Sequence, residues 1–208
     1  MKVTMKVVAI GKNYAAHIAE LNDERPKEPV VFLKTATALT VAREIVFEHP
    51  EFSDEVHHEV ELVLRISKTA SRISADHALS YCDGLGIGID FTARDLQRQA
   101  KAKGMPWTLS KAFDGAAPVS LIEPIESFGD LDALSFALEV NGETRQSGDT
   151  TLMLYDFKDL LSYVSHFMTL EPGDLLFTGT PAGVASVKPG DLLVASIEGT
   201  PMLDVKVV

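Results

Sequence analysis

Residues 57–66 read HHEVELVLRI. Val, Leu and Ile dominate the stretch, with no Pro or Gly to interrupt it, which is the composition of a β-strand. Side chains alternate on a strand, so Glu59 and Glu61 share one face and Val60, Leu62 and Leu64 the other. Runs of the same character recur outward from it in both directions: VTMKVVAI (3–10), PVVFL (29–33), EIVFE (44–48), GIGI (86–89), LSFALEV (134–140), DLLFTGT (174–180), DLLVASI (191–197) and LDVKVV (203–208). Helical periodicity is sparser. It points to Asn13–Leu21 with Asn13 as the cap, to the stretch around Ala75–Tyr81, and to Tyr155–Met168. The expected fold class is therefore α+β and mainly β, and no Pro, Gly or Ser-rich linker divides residues 1–208, so a single domain is expected.

The turns support this reading. Asn141-Gly142 follows LSFALEV and suits the positive φ angles of a tight hairpin. EPGD (171–174) and KPGD (188–191) each place Pro before a Gly that permits a left-handed turn ahead of a strand.

Composition removes several functional classes. Nineteen Lys and Arg against thirty Asp and Glu give a net charge of −11, a field that repels nucleic-acid backbones and anionic membranes. An anionic substrate has to be received by a metal ion or by clustered Arg and Lys. Cys82 is the lone cysteine, which excludes an intrachain disulfide and thiol-rich zinc sites and makes the cytoplasm the default location. No apolar stretch is long enough to span a bilayer. Neither the Walker glycine loop nor the dinucleotide glycine fingerprint occurs.

Five groups of residues carry possible chemistry, and each has an ordinary reading beside it. Glu59 and Glu61, about 7 Å apart on one strand face, repel by about 2 kcal/mol at an effective dielectric of 20; they are either a solvated face or half of a site for a hard cation. Asp90, at the end of GIGI, is either a helix cap or a third oxygen ligand, and three carboxylates suit Mg²⁺ or Mn²⁺ better than Zn²⁺. His17 and Glu20 stand three residues apart on the first helix, a common surface pair and equally the arrangement that orients a basic imidazole. Arg94, Gln97 and Lys111 are able to clamp a carboxylate and hold a carbonyl, or to be solvated like Lys101 and Lys103 beside them. FTGTPAGV (177–184), with Thr180, is a plain turn or a ligand-facing loop.

Taken as an ordered set, GKNYAAHIAE (11–20), HHEVEL (57–62), GIDFTARDLQ (88–97), PWTLSKAFD (106–114), NGETRQ (141–146) and EPGDLLFTGTPAGV (171–184) resemble the fumarylacetoacetate hydrolase family over nearly the whole chain. The resemblance implies a mixed β-sandwich roll, a homodimer, and an early helix that belongs to a lid. It implies that Glu59, Glu61 and Asp90 hold Mg²⁺, with Mn²⁺ the other option, and that His17 and Glu20 form a water-activating pair. Arg94, Gln97, Lys111 and Thr180 are implied to bind a small anionic 2-oxo acid, with Lys111 also counted among the catalytic residues. The implied activity is hydrolysis of a C–C bond in an acylpyruvate, giving pyruvate and a carboxylic acid. Oxaloacetate decarboxylation, isomerisation or hydration of a 2-oxo dienoate, and non-catalytic binding of a 2-oxo acid are the other readings. Thr35, where the family commonly has Pro, and Ala185-Ser186, where it commonly has Gly, are departures that bear on loop shape.

Overall fold

The structure is a computed structural model describing residues 5–208. Val3 and Thr4 of the first strand-like run lie outside the described residues. The largest sheet runs in the order β2 (Val30–Lys34), β1 (Val7–Gly11), β13 (Leu175–Phe177), β6 (Val60–Ile66), β7 (Cys82–Ile89), β9 (Ala117–Val119) and β3 (Leu39–Val41), with β10 (Glu123–Pro124) also paired to β7. A second sheet runs β12 (Glu143–Asp149), β11 (Ser135–Val140), β15 (Leu192–Ile197), β16 (Thr200–Val207) and β4 (Glu44–Phe47). A short third sheet joins β14 (Ala185–Ser186), β5 (Val56–His58) and β8 (Thr92–Ala93). Parallel pairs (β1 with β13, β3 with β9, β16 with β4) sit among antiparallel ones, so the sheets are mixed.

Burial follows the side-chain pattern. In the second sheet every other residue is buried: Phe136, Leu138 and Val140 on β11, Leu193, Ala195 and Ile197 on β15, and Leu203, Val205 and Val207 on β16. This is the alternation of a sheet with one wet face. β6 differs. Val60, Glu61, Leu62, Val63 and Leu64 are all buried, because β6 lies between β13 and β7 and is covered on both faces. The solvated-face reading of Glu59 and Glu61 is thereby overturned, since their exposures are 4% and 1%.

Among the described residues, four α-helices complete the fold. α4 (Phe157–Phe167) buries Phe157, Leu160, Leu161 and Val164, an i, i+3, i+4, i+7 stripe, and Asp156 caps it by accepting a bond from Asp159 N at 2.8 Å. α1 (Ala15–Glu20) is shorter than expected and is entered through Tyr14. Asn13 does not cap it. Its side chain donates to Tyr155 O (3.0 Å) and Thr178 O (2.8 Å) and accepts from Tyr155 N (3.0 Å), pinning the entry to α1 onto the end of β13. Residues Ala75–Tyr81 form a 3₁₀ helix. α2 (Arg94–Ala102) and α3 (Thr108–Lys111) lie in stretches without an apolar period, because the buried face of α2 consists of Arg94 and Gln97. Asn141 and Gly142 both have positive φ (54° and 80°) at the β11–β12 hairpin, and Gly173 and Gly190 take φ of 93° and 100° at the two Pro-Gly turns. Thr35 has φ −72°, a value proline also adopts, so the departure there leaves the backbone path intact.

Among the described residues no helix is long and apolar enough to cross a membrane.

Candidate active site

Register brings the three acids together. β6 and β7 pair with Val60 opposite Ile89 and Glu61 opposite Gly88, and Asp90 N donates to Glu59 O at 2.8 Å, so Asp90 lands beside Glu59 from thirty-one positions further along. One oxygen from each of Glu59, Glu61 and Asp90 falls within 4.8 Å of the others, and all three residues are buried.

Three buried cations surround the triad. Lys111, at the end of α3, reaches Glu59 Oε2 and Asp90 Oδ2 at 2.7 Å each. Arg94, at the start of α2, pairs with Glu59 and donates to Gln97 Oε1 at 2.6 Å. Lys34, at the end of β2, lies 2.7 Å from Asp90 Oδ1 and donates to Ala116 O at 2.9 Å and to Lys111 O. Along the sequence Lys34 only ends the apolar run Val30–Leu33, with nothing local to mark it as part of a site. Its partners come from segments 56 or more residues away, and only the fold collects them.

The cations are unevenly shared. Glu61 touches none of them; among the described residues its side chain accepts from Gly179 N alone, at 2.6 Å. Burial and the Asp90 and Glu59 charges push its carboxyl well above the ordinary carboxylate range, with Lys111 and the Gly179 amide offsetting only part of the rise. Burial acts on Glu59 in the same direction, but Lys111 and Arg94 outweigh it and hold that carboxyl well below the usual range. For Lys111 burial alone would lower the pKa, and Asp90 and Glu59 reverse the effect. For Lys34 burial prevails over Asp90, and its pKa is lowered. Arg94 Nε is buried without a partner among the described residues.

A divalent cation fits this set. The donors are hard carboxylate oxygens, Lys111 already bridges two of them with a positive charge, and the third makes no direct ion pair among the described residues.

Above the triad opens a narrow cleft lined by His17, Glu59, Glu61, Arg94, Gln97, Lys111 and Thr180, with Phe32 and Trp107 as apolar walls. Asp90 is fully buried and does not reach the cleft surface. His17 Nδ1 donates to Glu20 Oε2 at 3.1 Å, leaving Nε2 as the ring nitrogen for the cleft. Glu20 is itself held, because Gly183 N donates to Glu20 Oε1 at 3.0 Å. Gly183 sits at φ 103°, and a Cβ there would stand 2.0 Å from Arg145 O, so this loop needs glycine at that position. Lys101 is not free in solvent: it pairs at the mouth with Asp23 at 2.7 Å, and Lys12 approaches the same carboxylate at 3.3 Å.

A family model described as fumarylacetoacetate (FAA) hydrolase C-terminal matches residues 6–208. The chain is 42% identical over 201 residues to the mitochondrial oxaloacetate tautomerase FAHD1 of Bos taurus, covering 97% of this chain and 90% of that one. It is 42% identical over 194 residues to the mitochondrial oxaloacetate decarboxylase of Dictyostelium discoideum, covering 93% and 89%. Fumarylpyruvate hydrolase from Pseudomonas aeruginosa, crystallised with Mn²⁺ and pyruvate, superposes with a TM-score of 0.94 at 36% identity, covering 99% of this chain and 90% of that chain.

Proposed function

The chain belongs to the fumarylacetoacetate hydrolase family, and from that premise we propose that it is a divalent-metal-dependent enzyme of small 2-oxo acids whose first substrate is oxaloacetate. The reaction proposed is keto–enol interconversion, with decarboxylation as a related outcome. One observation carries the reading: a buried carboxylate triad, with Glu61 in no direct ion pair among the described residues, faces a buttressed His17 across one narrow cleft. The relatives named as oxaloacetate tautomerase and decarboxylase support the choice of substrate.

Glu59, Glu61 and Asp90 would hold Mg²⁺ or Mn²⁺, which supplies Lewis-acid polarisation of substrate oxygens. Arg94, Gln97 and Thr180 supply donors for a carboxylate or oxo oxygen in a protein whose net charge otherwise repels it. His17, with its Nδ1 proton committed to Glu20, takes a proton at Nε2 from the carbon next to the 2-oxo group, leaving an enolate, and delivers that proton to the enolate oxygen to give the enol. Phe32 and Trp107 limit water around the reacting carbon.

A second reading is hydrolysis of an acylpyruvate. The His17–Glu20 pair suits a base that takes a proton from water as its oxygen adds to the distal carbonyl; the C–C bond then breaks to give a carboxylic acid and the pyruvate enolate, which is protonated. The likeness to fumarylpyruvate hydrolase favours it.

Metal-stripped protein, with and without Mg²⁺ or Mn²⁺, separates these readings when oxaloacetate, acetylpyruvate and fumarylpyruvate are followed by NMR. Metal-dependent enol–keto exchange without carbon loss supports the tautomerase, pyruvate with CO₂ the decarboxylase, and pyruvate with the matching acid the hydrolase. Absence of metal-dependent turnover of all three would sink the proposal. His17→Ala is expected to slow tautomerisation and hydrolysis by roughly a hundred- to ten-thousand-fold while sparing decarboxylation, which needs neither base nor water.

A further inference from the structure

Gln146, on the hairpin strand β12, is 1% exposed and touches no substrate-facing space, yet its amide lies between two parts of the site. Val60 N donates to its Oε1 at 3.0 Å, and His58 Nδ1 faces the same oxygen at 2.9 Å. Its Nε2 donates to Pro181 O at 2.9 Å and to Thr180 Oγ1 at 2.8 Å. The orientation of the amide is unambiguous. A backbone N–H only donates and a carbonyl oxygen only accepts, so Val60 fixes Oε1 and Pro181 fixes Nε2. All four hydrogen-bonding positions of the amide are then filled, and His58 carries its proton on Nδ1.

The consequence falls on Thr180. Its hydroxyl oxygen accepts from Gln146, so its own hydrogen must point elsewhere, and among the described residues nothing accepts it. Thr180 lines the cleft beside His17, Glu61 and Arg94. We propose that Gln146 is a positioning residue: it holds the Thr180 hydroxyl as a hydrogen-bond donor aimed at an oxygen of the bound 2-oxo acid. The same amide also accepts from Val60 N at the start of β6. This rests on the 2-oxo acid reading of the cleft.

The test measures binding of oxalate, a non-reacting 2-oxo acid mimic, to Mn²⁺-loaded protein by calorimetry. Mn²⁺ affinity and thermal unfolding are followed in parallel. Thr180→Ser keeps the donor and is expected to bind oxalate like the parent protein. Thr180→Val is expected to lose roughly ten- to a hundredfold in affinity, the worth of a hydrogen bond to a charged group. Gln146→Met, isosteric without an amide, is expected to lose a similar factor while still binding Mn²⁺, and the combination with Thr180→Val is expected to lose no more than the larger single loss. Should Gln146→Met fail to fold, Gln146→Glu is read in the same way: its carboxylate draws the Thr180 proton back, so its loss should vanish in the Thr180→Val background, whereas a simple charge effect would persist there. Additive losses, or parent-like oxalate binding by a folded Gln146 variant, overturn the inference. A parent protein that binds Mn²⁺ but no oxalate removes the 2-oxo acid reading, and the inference with it, an outcome distinct from parent binding that Gln146 does not influence.

Discussion

Glu61→Gln isolates the feature on which the metal site depends. The ligand oxygens of the triad lie within 4.8 Å of each other, where two unit charges repel by about 3.5 kcal/mol at an effective dielectric of 20. An ionised Glu61 therefore meets about 7 kcal/mol of repulsion from its two neighbours, reduced by Lys111, and pairs directly with no cation among the described residues. Glutamine keeps the shape and still accepts from Gly179 N, a bond contributing about 1 kcal/mol. The metal-free variant should match or exceed the parent in urea unfolding, within about 1 kcal/mol, because a neutral side chain is what the metal-free site already favours. Mn²⁺ affinity, read by calorimetry or by the EPR signal of free Mn²⁺, should fall roughly a hundredfold or more, since losing even an outer-shell partner of a metal costs ten- to a hundredfold. A metal-free variant destabilised by more than about 2 kcal/mol, with Mn²⁺ bound as tightly as by the parent, would refute the reasoning; the triad would then be a structural ion-pair cluster.

Because the Glu61 carboxyl is raised, the metal-free fold holds a proton there that the unfolded chain releases at ordinary carboxylate pH. That contribution to stability is full at low pH and is lost as pH rises through the raised value; metal uptake should release the proton, which calorimetry in buffers of different ionisation enthalpy would detect, and proton-neutral binding in that window would contradict it. Gly183→Ala places a Cβ 2.0 Å from Arg145 O at φ 103°, so a loss of about 3 kcal/mol or more is expected in urea unfolding, along with weaker activity as the Glu20 support moves; a loss below about 1 kcal/mol would count against the geometry. Burial pushes the Cys82 thiol up to about 12, so a thiol reagent such as DTNB should leave the folded protein unmodified and react in full once denaturant is added. Rapid labelling of native protein would show that β7 opens.

Much of the site could be read along the chain because its elements are local. Glu59 and Glu61, two apart in extended chain with Glu59 at the break between β5 and β6, and His17 and Glu20, three apart on a helix, follow periods of 2.0 and 3.6. The strands were visible for the same reason. Asn13 reads as a cap along the sequence because a cap and a long-range staple use the same side chain, and only the arrival of Tyr155 and Thr178 decides between them. α2 escaped apolar periodicity because it turns Arg94 and Gln97 inward, a face that makes sense only with Glu59 already buried opposite it.

The sequence by itself determined the strand-rich class, the turns, the placing of Glu59 and Glu61 on one side of an extended segment and the His17–Glu20 spacing, since each follows from a local period. The tertiary structure decided what those residues experience. Covering β6 on both sides turned a strand face into a buried triad, and the β6–β7 register added Asp90. Chain crossings delivered Lys34, Lys111, Gly179 and Gln146 from distant segments. Charge balance in a low-dielectric interior depends on which groups meet across the core, and that is not a property of any local run of residues.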